Sequence, residues 1–166
     1  MFPLFLDLHG RLVVLVGSGP TSEAKRRQFV DAGASVRVVA PETFVASDLD
    51  GAWLAVSVAT PEVNRRVADA AAARRLFVNA VDDPTNASAY LSGVVRRDGV
   101  TIAISTDGAA PALTALLRDA FDTLLPDDLD QWMTIAREER TAWKREAVAI
   151  DRRKPRLLEA LNRRYQ

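Results

Sequence analysis

Two short stretches of this chain carry residues whose types and spacing could do chemistry. The first is Gly17-Ser18-Gly19, followed by Pro20, Thr21 and Ser22. Two glycines one residue apart let a backbone turn tightly and come close to a bulky anion. Where such a turn opens a helix, free N–H groups and the helix dipole attract phosphate. In this reading Gly17 permits the turn and Gly19 lets the backbone approach a pyrophosphate. Ser22 stands where a dinucleotide fingerprint has its third small residue. The acidic residue that commonly holds the ribose at the end of the next strand is missing; Glu42 lies near that place, after Pro41. The second stretch is Asn79-Ala80-Val81-Asp82-Asp83-Pro84. A carboxylate at the C-terminal end of a strand can serve as a general base. Asp before Pro is also ordinary turn chemistry, so either aspartate could simply cap a turn. His9, the only histidine, precedes Gly10 and reads as structural. The chain has no Cys, which excludes a thiolate nucleophile and a Cys-ligated metal. With no metal-ligand spacing and no Ser–His–Asp set, no protein-bound metal is expected.

These two stretches need elements to position them. Leu12 to Val16 is a continuous apolar, β-branched run, the mark of a buried parallel strand. Residues 22–32 read as a helix, closed by Gly33 at its C′ position. Ser35 to Val39 is a second strand, which completes a strand–turn–helix–strand unit. Residues 53–59 form another strand, Pro61 opens a helix through Arg74, and Leu76 to Asn79 is the next strand. Residues 90–95 and 100–105 flank Asp98-Gly99, a hairpin signal that adds an antiparallel pair to the sheet. Beyond Pro111 the pattern is helical. It breaks at Leu125 to Asp128 and is interrupted again near Pro155. The fold class is therefore α/β, with a sheet domain over residues 1–110 and a helical region over 111–166.

At 48% apolar residues the chain can bury a core. It has no apolar run of the roughly 18 residues that a membrane span needs. Its first residues lack the basic segment of a signal peptide, so the expected protein is soluble and cytoplasmic. Net charge is zero but unevenly placed: from residue 131 onward ten Lys/Arg stand against five Asp/Glu, after twelve against seventeen in the preceding residues. A basic tail can attract a polyanion. No aromatic-interleaved basic motif supports nucleic acid as a partner.

Taken in order, several motifs resemble the siroheme synthase N-terminal domain, the precorrin-2 dehydrogenase/sirohydrochlorin ferrochelatase family. They are Leu4 to Leu8, Leu12 to Gly19, Lys25, Gly33-Ala34, Val38 to Pro41, Ala59-Thr60 with Val63-Asn64, Phe77 to Asn79 with Val81-Asp82 and Pro84, and Ile104 to Thr106 with Gly108, Pro111 and Leu116 to Arg118. The resemblance implies a Rossmann-like NAD-binding domain, then a helical dimerisation and C-terminal region, in a homodimer. It implies NAD-dependent oxidation of precorrin-2 to sirohydrochlorin and, in some members, insertion of ferrous iron. The family's catalytic aspartate falls on Asp82. Asp83, on the opposite side of an extended segment, is then a turn or cap residue. The expected cofactor contacts are Gly17, Ser18, Gly19, Pro20, Thr21, Pro41, Glu42 and Thr60. The substrate's eight carboxylates suit the basic tail. Compared with the family, the connection between Pro41 and Trp53, beside the adenosine site, is short, and Ala110 stands where some members carry a phosphorylatable serine. The alternative reading is a non-catalytic tetrapyrrole- or nucleotide-binding protein with a degenerate NAD site.

Overall fold

A computed structural model describes residues 1–165. The chain divides into two compact units, Met1–Leu91 and Ser92–Gln166. That division falls ahead of the boundary expected near residue 110.

The first unit is built on a four-stranded parallel sheet: β1 (Leu12–Gly17), β2 (Ser35–Val39), β3 (Leu54–Val58) and β4 (Phe77–Ala80), in the spatial order β2-β1-β3-β4. Val13 to Val16 are fully buried, as a central strand covered on both faces requires. Alternation along the strands sorts the core into two layers. Val13, Leu15, Leu54 and Val56 pack with Phe29 of helix α1 (Gly19–Asp31). Val14, Val16, Ala55 and Val78 pack with Val67, Ala70 and Ala71 of helix α2 (Pro61–Ala73). Parallel strands need right-handed crossovers. The chain winds from β1 to β2 on one side and from β3 to β4 on the other, so the two helices cover opposite faces.

Helix α1 ends as the glycine predicted. The Gly33 N–H donates to Val30 and the Ala34 N–H to Phe29, with Gly33 at φ +81°. This is a Schellman end, and its two donors satisfy carbonyls that the helix leaves open. The short connection after β2 is well packed: Phe44 and Leu49 are buried, and Arg66 donates to the Phe44 carbonyl.

The second unit holds the hairpin β5 (Gly93–Arg97) and β6 (Val100–Ile104), followed by helices α3 (Pro111–Leu124), α4 (Leu129–Arg145) and α5 (Ile150–Asn162). Asp98 and Gly99 both take positive φ, as a two-residue hairpin turn demands. Among the described residues the two strands pair with each other alone, so the hairpin does not extend the main sheet as expected. Helix α3 is its partner instead. A Cβ on Gly93 would come within 2.8 Å of the Thr114 side chain, and the Arg97 guanidinium donates to the carbonyls of Asp122 and Leu125 at the helix end.

The interruption expected near Pro155 lies earlier. Helix α5 runs through Pro155, and the chain turns at Ala147, which takes φ +52° while the Val148 N–H donates to Trp143. Proline this far into a helix removes one hydrogen bond and crowds the carbonyl four residues back, which bends a helix without having to end it, whereas a left-handed residue redirects the chain. Among the described residues no helix is long and apolar enough to cross a membrane. Ala147 carries a Cβ where a helix end favours glycine. Ala147→Gly should therefore stabilise the protein by about 0.5–1 kcal/mol, read as a higher urea midpoint at unchanged slope. A lower midpoint would show that the left-handed turn carries no strain.

Candidate nucleotide and base site

All four strands of the parallel sheet end on one edge, and the connections that leave it carry the residues singled out by sequence. The winding reverses between β1 and β3, the place where open α/β sheets leave a crevice for ligands. Gly17 and Val58 are partners across that junction. The turn after β1 enters α1, the turn after β3 enters α2 through Thr60, and Pro41 and Glu42 follow β2. Asp82 follows β4. Strands lie about 4.8 Å apart, so the ends of β1 and β4, with β3 between them, are about 10 Å apart.

The turn expected of Gly17 falls to Gly19, and Gly17 is needed for close packing. Gly17 is the last residue of β1, and a Cβ there would stand 2.9 Å from the Val58 carbonyl oxygen and 3.1 Å from Ser22 Oγ. It is glycine because strand and helix close in on it. Ser22, buried, is the small residue on the helix side of that contact. Gly19 takes φ +80° and supplies the turn, and a Cβ on it would meet nothing within 4 Å. Open space therefore lies in front of the first turn of α1. Ser18 sits at the N-cap position but makes no side-chain capping bond. The N-terminal donors of α1 are thus left for an anion. Glu23 does not compete for them: Arg26 and then Arg27 hold its carboxyl down to about 2 in an ion-paired cluster on the next turn. At α2 the arrangement differs. Glu62 lies in the first turn, its carboxyl lowered by its own backbone N–H and by Thr60, so that helix start carries its own anion. The residues around Gly19 fit a phosphate group; those at Pro61 do not.

Asp82 and Asp83 separate cleanly. The Asp83 N–H donates to the Ala80 carbonyl, and Asp82, at φ +58°, is the third residue of that turn. A left-handed residue at this position is what a type II turn requires, and Asp tolerates it better than most side chains. The Asp82 side chain is exposed at the sheet edge. Asp83 caps the short 3-10 turn Pro84–Asn86 by accepting from the Asn86 N–H, and it also accepts from the Asn86 and Asn64 side-chain amides. Those bonds, Asn86 first and then Asn64, hold its carboxyl below the ordinary range. The loop then returns to β4, where Ser88 and Ala89 N–H groups both donate to the Val78 carbonyl. Asn79, buried on β4, donates to the Ala89 carbonyl. Its Oδ1 is the one buried side-chain polar atom among the described residues with no partner. Sequence reasoning missed Ser57 and Asn64, which are buried and bonded to each other. The signal available was a polar residue at the inward-facing position of each element.

Pro41 and Glu42 lie on the turn after β2, with Glu42 exposed. His9 packs at the far end of the unit, against Gly33, and takes no part in this edge. Among the described residues no group of three or more His, Cys, Asp or Glu is placed to hold a metal ion.

A family profile described as Putative NAD(P)-binding matches residues 4–93. The chain belongs to that family. A second profile, Sirohaem biosynthesis protein central, matches residues 97–122. Siroheme synthase 2 of Klebsiella pneumoniae is 34% identical over 92% of this chain and 38% of its own length. Siroheme synthase 1 of Aeromonas hydrophila is 36% identical over 81% of this chain and 33% of its own length. The chain thus spans about a third of the length of these curated relatives. A solved structure titled SirC, precorrin-2 dehydrogenase, superposes with a TM-score of 0.70 over 96% of this chain and 88% of that one; at 24% identity the likeness concerns the fold. The resemblance to siroheme synthase N-terminal domains is borne out, as is the α/β, Rossmann-like class. The cofactor class of the family is a nicotinamide dinucleotide.

The two glycines should respond differently to a methyl group. Gly19→Ala should keep the fold at a cost of about 1 kcal/mol for its left-handed φ and lose NAD affinity by at least tenfold in calorimetry, because its Cβ enters the space an anion needs. Gly17→Ala should lower the unfolding midpoint, since backbone must move. An unchanged affinity in folded Gly19→Ala would displace the anion from this turn.

Proposed function

We propose that this chain is an NAD-dependent precorrin-2 dehydrogenase that forms sirohydrochlorin. The observation that carries the reading is a single sheet edge that presents both an uncapped, glycine-turned helix start and, two strands away, an exposed carboxylate fixed in a turn. The names of the similar proteins supply the substrate class. Gly17, Ser18, Gly19 and Thr21 would hold the pyrophosphate through backbone N–H groups, with Pro20 setting the first helical turn. Pro41 and Glu42 would flank the adenosine ribose, and Thr60 the crevice between β1 and β3. A carboxylate at Glu42 repels a 2′-phosphate, which favours NAD over NADP.

When bound, the nicotinamide supplies the hydride acceptor. Loss of a hydride from precorrin-2 leaves one proton to be removed from the macrocycle, and Asp82 takes it. Its exposure at the sheet edge leaves it accessible to a large, flat substrate, while Asp83, whose carboxylate is occupied by Asn86 and Asn64, stays out of the chemistry. Insertion of ferrous iron into sirohydrochlorin would call on the same carboxylate as proton acceptor, with iron as substrate. The assembly we propose is a homodimer. Among the described residues none of helix α3 is buried, and the helix exposes Leu113, Leu116, Phe121 and Leu124. Such an apolar stripe fits a second copy.

An anaerobic assay with precorrin-2 and NAD, following sirohydrochlorin by absorbance, tests the reading. The wild-type chain should turn over. Asp82→Asn should lose about 10²–10⁴-fold in kcat, the usual worth of a general base, with NAD affinity unchanged. Normal turnover by Asp82→Asn would refute the carboxylate mechanism. NAD binding with no turnover by the wild-type chain would favour the non-catalytic reading.

A further inference from the structure

The buried residues packed between α2 and the sheet are apolar except for two, Ser57 of β3 and Asn64 of α2, which are 0% and 1% exposed. An apolar pair of the same shape would fill that space at little or no loss of stability, so stability alone does not account for them. Ser57 Oγ lies 2.6 Å from Asn64 Oδ1, and Asn64 Nδ2 lies 3.1 Å from Asp83 Oδ2. The amide can face only one way. The Asp83 carboxylate only accepts, so Nδ2 must point toward it, which leaves Oδ1 to accept from the Ser57 hydroxyl. A directed chain of hydrogen bonds therefore runs from the core of the sheet out to the loop after β4.

The turn containing Asp82 is held at both ends, and the chain holds the far one. At the near end, the Val81 N–H donates to the Ser57 carbonyl at 2.9 Å. At the far end, Asp83 is pinned by Asn64 from within and by Asn86 from its own loop. Asp82, lying between the fixed points, takes φ +58°. A left-handed non-glycine residue is disfavoured, even for Asp, and persists only where its surroundings hold it.

We propose that Asn64 is a positioning residue for Asp82: acting through Asp83, and itself oriented by Ser57, it holds the left-handed turn that presents the Asp82 carboxylate to substrate. This rests on the reading of Asp82 as the base. Asn64 touches neither cofactor nor substrate; it couples the rigid core to the one side chain whose direction decides the rate.

A double-mutant cycle in the full chain separates this role from a purely structural one. Asn64→Leu keeps the volume and removes the amide. It should lower kcat for precorrin-2 oxidation by roughly 10²-fold, as misplacement of a reacting group by about 1 Å does, while NAD affinity by calorimetry stays the same. In the Asp82→Asn background it should cause no further loss, because the group it serves is gone. Asp83→Ala, on the exposed loop, tests the same chain from its other end, should Asn64→Leu fail to fold. It too should slow the wild-type background and leave the Asp82→Asn background unchanged. Equal losses in both backgrounds, or full kcat in Asn64→Leu or in Asp83→Ala, would overturn the positioning role and leave the base assignment standing. Full kcat in Asp82→Asn alone would remove the base assignment, and the positioning role with it.

Discussion

The winding of the parallel sheet reverses between β1 and β3, and everything at the functional edge depends on that reversal. It sends α1 and α2 to opposite faces. The strand ends between them are thus left without a helix above, and a crevice opens where β1 and β3 meet. Gly17 is the price of bringing strand and helix together at that point, since a single methyl there would collide with the Val58 carbonyl. Because the strands are parallel, the candidate site residues arrive at the same edge: Gly19 after β1, Pro41 and Glu42 after β2, Thr60 after β3 and Asp82 after β4.

The two helix starts on this edge have different electrostatic characters. The first turn of α1 has no side-chain cap and faces open space, whereas the first turn of α2 has Glu62 in it. Only one of them is ready for an added anion, which would set the direction of the proposed dinucleotide across the sheet. The other end of that path is the loop after β4. It is held at both ends by backbone bonds to the sheet and tied in the middle by a buried polar chain. A loop held in this way can keep a charged side chain in a strained, exposed position.

Much of this was legible in the sequence. Continuous β-branched runs marked the buried strands, Pro61 and Pro111 marked helix starts, and Gly33 and Asp98-Gly99 marked turns, each by a local steric rule. The motif of Asn79 to Pro84 also read correctly as a turn at a strand end. What sequence could not show was non-local. The division of labour between Gly17 and Gly19 depends on how closely Val58 approaches, and the packing of the hairpin on α3 depends on Thr114 meeting Gly93. Ser57 and Asn64 are seven residues apart on different elements and gain their meaning only when β3 and α2 face each other. The bend at Ala147, rather than at Pro155, reflects a helix end made with an unfavourable residue type and so left no signature.

The central claim is that the first turn of α1, at the β1/β3 junction, is where the nucleotide binds. Titration of isotope-labelled protein with NAD, followed by amide chemical shifts, tests this most directly. The largest and saturable shifts should fall on Ser18, Gly19, Thr21 and Ser22, with smaller ones at Ala59 and Thr60 after β3 and in the loop after β4. Saturable shifts centred away from these amides, or none at millimolar NAD, would contradict it.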